Sequence, residues 1–123
     1  TVTPVDQARE GVGGNCLAAC LASIFDCGLA DTPELSDSPT WAEQRRRIDE
    51  WLAPRGLRTS VTLGPPQRDE GLVIVSGTVA RSDCMHATVW RGDELVHDPH
   101  PSRAGLVKIE DTLAFVHCGR GRP

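Results

Sequence analysis

The chemistry this sequence can do gathers at Cys16, which follows Gly13-Gly14-Asn15 and opens the apolar stretch Cys16-Leu17-Ala18-Ala19-Cys20-Leu21. A thiol in the first turn of a helix meets unpaired backbone N–H groups and the positive end of the helix dipole, and both favour the thiolate. A thiolate is a nucleophile. To work near neutral pH it wants a base for its proton and a third group to orient that base. Two residues of the right kinds flank a hairpin signal at Gly92-Asp93, with His86 before it and Asp98 after it. A three-residue turn centred on Gly92 sets His86 directly opposite Asp98, with Cβ atoms roughly 4.5–5.5 Å apart. A two-residue turn slides the pairing by one residue and sends the two side chains to opposite faces. With the odd turn, the carboxylate would hold the imidazole tautomer and stabilise the imidazolium. Gln7 adds a neutral amide donor upstream of the thiol.

The elements that must position these groups follow from the pattern. Residues 1–13, with Pro4, Gly11 and Gly13, read as an extended arm and loop. The stretch from Cys16 to Phe25 is apolar nearly all round, so it predicts a buried helix, with Asn15 as N-cap and Gly28 as its stop. After a loop with two prolines over residues 29–40, Thr40 and Glu43 make a capping-box pair. They open a helix to about Ala53, with Trp41, Ile48, Trp51 and Leu52 inward and Arg45-Arg46-Arg47 mostly on a solvated face. The period then changes. Strands are expected at Leu57–Leu63, Leu72–Val75, Met85–Trp90, Glu94–Asp98, Leu106–Ile109 and Leu113–Val116, with Gly77–Asp83 as a connection and a flexible tail from Gly119. Helices first and an antiparallel sheet after them make one α+β domain over residues 1–123.

The order Cys, His, Asp, with the Cys opening a buried helix and the other two on a following sheet, resembles the papain-like cysteine peptidases. Within that superfamily the chain is most similar to the branch of bacteriocin double-glycine leader peptidases. The likeness rests on Asn15-Cys16-Leu17-Ala18-Ala19-Cys20-Leu21, on His86-Ala87-Thr88-Val89, and on Asp98-Pro99, and it spans about residues 7–109. The chain also resembles small stand-alone bacterial and phage proteins with a His-Asp-Pro-His-Pro stretch, as at His97–Pro101. The resemblance implies a papain-like fold, with Cys16 as nucleophile, His86 as general base and acid, and Asp98 as the orienting residue. It also implies an oxyanion held by the Cys16 N–H and a glutamine, for which Gln7 is the available residue. Such a glutamine usually stands six residues before the cysteine, where this chain has Glu10, so the loop Glu10–Gly14 must absorb the difference. Leu17 replaces the glycine that often follows the nucleophile, which narrows the expected groove.

Other residues have plainer readings. Cysteine is among the most buried residue types, so Cys20, Cys27, Cys84 and Cys118 are expected to pack. His97, one residue from Asp98, is expected to face the other way and to be structural. Asn15 and His100, beside the proposed site, are candidates for substrate contact. A zinc site from Cys16, Cys20, Cys84 and His86 matches no finger or ribbon spacing, so neither metal nor cofactor is expected. The net charge of −4 and the few aromatics, three Trp and two Phe, argue against nucleic acid as partner. No apolar run approaches the roughly 20 residues that span a bilayer, so membrane insertion is not expected. No signal-peptide pattern opens the chain, and an odd number of cysteines, five, points to a reducing, cytoplasmic setting. The expected partner is a peptide or protein substrate, or a small amide or acyl compound. The expected reaction is amide hydrolysis through an acyl-enzyme. A deamidase, a thioesterase, an acyl or amide transferase, and a non-catalytic papain-like binding module stay open beside it.

Overall fold

Cys16–Phe25 form α1, a helix whose residues Ala18 to Ser23 are all buried, as a sequence without a polar face requires. The structure is a computed structural model. It describes residues 2–8, 15–35, 37, 40–68, 70–80 and 82–118, with the side chains of 82–84 outside that description. The expected flexible tail from Gly119, the Cys84 side chain and the loop residues 9–14 therefore lie outside the described residues. A second helix, α2 (Trp41–Leu52), precedes five strands: β1 (Leu57–Leu63), β2 (Leu72–Val79), β3 (Ser82–Arg91), β4 (Glu94–His97) and β5 (Lys108–His117). They form one antiparallel sheet in the order β1-β5-β2-β3-β4, so the layout is α+β as expected.

Both helices lie on one face of that sheet. Val61, Leu113, Ile74 and Val89 stand side by side across four strands. Against this row pack Leu21 of α1 and Ile48 and Leu52 of α2, each fully buried. Full burial of such a side chain contributes about 1.5–3 kcal/mol, so this row fixes where α1 sits. The other face carries Thr88 and Thr112, both buried, with hydroxyls donating to the carbonyls of Val75 (2.9 Å) and Gly64 (2.9 Å). The N-terminal arm, residues 2–8, lies along α1. Val5 N–H donates to the buried Ser23 hydroxyl at 2.9 Å, and Thr3 N–H to the Ser23 carbonyl at 3.3 Å.

Several expectations need correction. Asn15 stands at the N-cap position but makes no side-chain cap bond, because its carboxamide oxygen accepts from Ala8 N–H at 2.8 Å and ties down the arm. Asp26, not Gly28, ends α1 in the left-handed conformation, at φ 55°. In α2, Thr40 does accept from Glu43 N–H (3.1 Å), but the Glu43 carboxylate is bonded to Arg46 and Arg47. Trp41 is 43% exposed, since α2 meets the sheet through Ile48 and Leu52, two turns further on. Arg45 is only partly solvated. Its guanidinium donates to the Thr59 hydroxyl and carbonyl (2.9 and 3.1 Å), and Asp49 accepts from the same threonine, clamping α2 to β1.

β1 has the expected bounds, β4 stops at His97, one residue short of the expected Asp98, and β2 and β3 are longer than expected. β2 and β3 extend to Val79 and back to Ser82, because a ladder tolerates the polar Ser76 and Thr78 where pattern alone suggests a loop. β5 is one strand, not two. Glu110 is an extra residue where Ser76 and Gly77 pair with Asp111 and Ile109, and this bulge absorbs the polar interruption. Cys27 is half-buried and Cys118 exposed, so neither is the packed cysteine expected.

Candidate functional site

The hairpin β3–β4 does not have the expected three-residue turn. Arg91 pairs with Glu94 and Trp90 with Leu95 across a two-residue turn at Gly92-Asp93. That turn alone would send His86 and Asp98 to opposite faces. A β-bulge at Val96 reverses the error: Leu95 faces Trp90, but His97 faces Val89. The one extra residue brings the two side chains back to the same side. Asp98 is not directly opposite His86, however. It lies past the end of β4, where the chain leaves the sheet.

There the pair meets. His86 Nε2 lies 2.6 Å from Asp98 Oδ1, with the residues 5% and 2% exposed. A carboxylate only accepts, so Nε2 carries the proton and Nδ1 is the basic nitrogen. The carboxylate is held from its own loop as well. Oδ1 accepts from His100 N–H at 2.9 Å and Oδ2 from Gly105 N–H at 2.7 Å. Burial pushes the Asp98 carboxyl up, but the His86 bond and these two N–H groups outweigh it and leave it below the usual carboxylate range. The His100 ring stands edge-on to His86, centroids 6.1 Å apart, and its Nδ1 is 2.9 Å from the Ser102 hydroxyl.

Cys16 reaches this place from the helix. The β3–β4 ladder covers Val89 to Arg91, so β4 does not continue alongside His86 and Ala87. Helix α1 packs against β3, and the Cys16 thiol faces the backbone N–H of Ala87 together with those of Leu17 and Cys16 itself. Ala87 directly follows His86 in the strand. Burial is the largest influence on the thiol and raises it. The three N–H groups pull it down, Asp98 pushes it up again, and the net direction is upward. The expected thiolate is therefore not the resting form, because desolvation exceeds what the helix start supplies. Cys20, one turn below and fully buried, is raised well above the ordinary thiol range by burial first, then by Cys16 and Asp98. Cys16 and Cys20 are not bridged to each other or to any described cysteine.

Gln7 arrives on the arm. Its N–H donates to the Pro99 carbonyl at 3.1 Å, while the next residue, Ala8, donates to Asn15. The arm is thus stitched between the loop after Asp98 and the residue before Cys16, and the Gln7 side-chain oxygen is buried there. His97 is structural, as expected: it is 8% exposed and its Nε2 is 3.0 Å from the Val5 carbonyl, again holding the arm. Leu17 is half-buried against the core. No group of three or more His, Cys, Asp or Glu suited to a metal occurs among the described residues, and the Cys84 of the zinc alternative has its side chain outside them. Sequence reasoning missed the N–H groups of Ala87 and Gly105, which carry no signature, and Arg103 with Asp6. The last two meet across a separation of 97 residues, which no local pattern reveals.

No protein-family model, no curated protein and no solved structure matches this chain. Among the described residues no helix is long and apolar enough to cross a membrane.

Proposed function

We propose that this protein is a papain-like thiol hydrolase that cleaves an amide bond, in the first instance a peptide bond, through an acyl-enzyme. The observation that carries this reading is the buried His86–Asp98 pair, bonded at 2.6 Å, in the strand whose next N–H meets the Cys16 thiol. Burial favours the neutral Cys16 thiol at rest. His86 Nδ1 takes the Cys16 proton as the sulfur attacks the substrate carbonyl, and Asp98 stabilises the imidazolium that forms. The oxyanion rests on the Cys16 N–H, with the Gln7 amide as second donor. The imidazolium returns its proton to the leaving amine, and water activated by the same imidazole releases the acid.

The test is a panel of peptide, glutamine-amide and acyl-thioester substrates read by mass spectrometry. The native protein is expected to give product and an acyl adduct on the Cys16 peptide. Cys16→Ala should give neither, and Cys20→Ala should give both. Product formed by Cys16→Ala at the native rate would falsify the assignment. The panel also separates peptidase from deamidase, thioesterase and transferase chemistry, which the same three side chains support.

The raised thiol favours a second reading, a non-catalytic binding module on the same scaffold. It predicts Cys16 alkylation that follows the thiol alone and is indifferent to His86.

A further inference from the structure

The Asp98 carboxylate is held by its own loop, and that loop is itself held by Arg103. Arg103 has φ 54°, in the left-handed region that side-chain-bearing residues rarely adopt. Its side chain runs back beneath the loop. Nη1 donates to the Asp98 carbonyl at 2.6 Å and lies 3.3 Å from the His100 carbonyl. The same guanidinium grips Asp6 of the arm, with Nη1 2.6 Å from Oδ1 and Nη2 2.9 Å from Oδ2. Asp6 directly precedes Gln7. His97 Nε2 also lies 3.3 Å from Asp6 Oδ1.

Asp6 and Arg103 are each 49% exposed, and a half-exposed ion pair adds little to stability. The residue that makes it nonetheless holds an unfavourable backbone conformation, at the end of a turn closed by its own N–H on the His100 carbonyl at 3.0 Å. What a planar, two-pronged guanidinium supplies that a point charge does not is direction. Here it joins the Asp98 carbonyl, on the loop, to the Asp6 carboxylate, on the arm carrying Gln7.

We infer that Arg103 is a positioning residue for the His86–Asp98 pair, and that its fork onto Asp6 registers the Asp98 loop against the arm that brings Gln7. Its consequence for turnover rests on the thiol-hydrolase reading; its consequence for the pair does not.

The experiment reads the two separately. The His86 Nε2 proton, in a short bond to a buried carboxylate, should give a downfield proton resonance, assigned by its loss in His86→Ala. Arg103→Gln is expected to lose that resonance to exchange with water while keeping the native circular dichroism. Arg103→Lys keeps the charge and about the same bulk, cannot serve the arm and the Asp98 carbonyl together, and is expected to show a partial loss. The double variant Asp6→Arg with Arg103→Asp rebuilds the ion pair but leaves the Asp98 carbonyl without its donor, so it should not recover the signal. In the same samples, Cys16 alkylation in Arg103→Gln should follow the pH profile of His86→Ala, with a fall of about tenfold or more at neutral pH. A resonance absent from the native protein, retained in Arg103→Gln, or recovered in the double variant overturns the inference. Loss of the resonance in Arg103→Gln with alkylation indifferent to His86 upholds the positioning and discards the hydrolase reading.

Discussion

Two pH dependences follow from single side chains. The Cys16 thiol sits above its ordinary value, so at any pH below that value its thiolate fraction is smaller than that of an exposed cysteine. In His86→Ala, alkylation of the Cys16 peptide by iodoacetamide should therefore lag that of the exposed Cys118 until well into the alkaline range. In the native protein it should extend down toward neutrality, because the imidazole takes the proton. Identical profiles would remove His86 from the role of base. Asp98 has the opposite sign. Its folded carboxyl is below the ordinary range, so it contributes stability above about pH 4, the unfolded value, and loses it as pH falls further. Asp98→Asn should accordingly be less stable than native at pH 7 by urea denaturation, with the gap closing below about pH 3. On the thiol-hydrolase reading, its turnover should fall by about 10³–10⁴, since an amide can offer the imidazole its N–H and favour the wrong tautomer. The three residue types were readable from the sequence because each sits in a short local motif. The net direction of the thiol was not readable, because burial depends on β3, some seventy positions along the chain, as well as on the helix start.

At the scale of elements, ladders and close approaches decide what pattern leaves ambiguous. Thr78 fell in the expected connection at Gly77–Asp83, and Ser76 and the polar run at 110–112 fell between expected strands, yet each is carried inside a strand by neighbours that satisfy the backbone. Arg45 looked solvated because its partner Thr59 belongs to another element, fourteen residues away. Gly77 shows the same dependence. It pairs with His86 at the bulged end of β2, where an added Cβ would come within 1.9 Å of the Lys108 carbonyl oxygen. Gly77→Ala must therefore push β5 away from β2, and we expect a loss of about 1–3 kcal/mol or more in urea denaturation. A stability equal to native would mean that the strands are not locked at that approach. Thr40→Ala should cost about 1 kcal/mol through the lost cap of α2, with the site unaffected.

Across the whole molecule the candidate site is a meeting of four segments: the arm, the start of α1, the edge of β3 and the loop after β4. None of these holds the others alone. On the thiol-hydrolase reading, the buried row that seats α1 on the sheet is therefore coupled to chemistry at its N-terminus. Leu21→Ala should cost about 2–5 kcal/mol and, on the same reading, also slow Cys16 chemistry, although Leu21 has no part in the proposed proton transfers. Unchanged turnover in a strongly destabilised Leu21→Ala would show the helix start to be fixed by the arm instead. The bulge at Val96 has a consequence for how this chain can vary. It makes the β3–β4 hairpin count in even numbers: a single insertion or deletion anywhere between His86 and Asp98 turns one of them to the far side of the sheet. Two compensating changes, such as removing Val96 and adding one residue to the Gly92-Asp93 turn, restore the pair. On the thiol-hydrolase reading, deleting Val96 alone should abolish activity in a folded protein, and the turn insertion should return it.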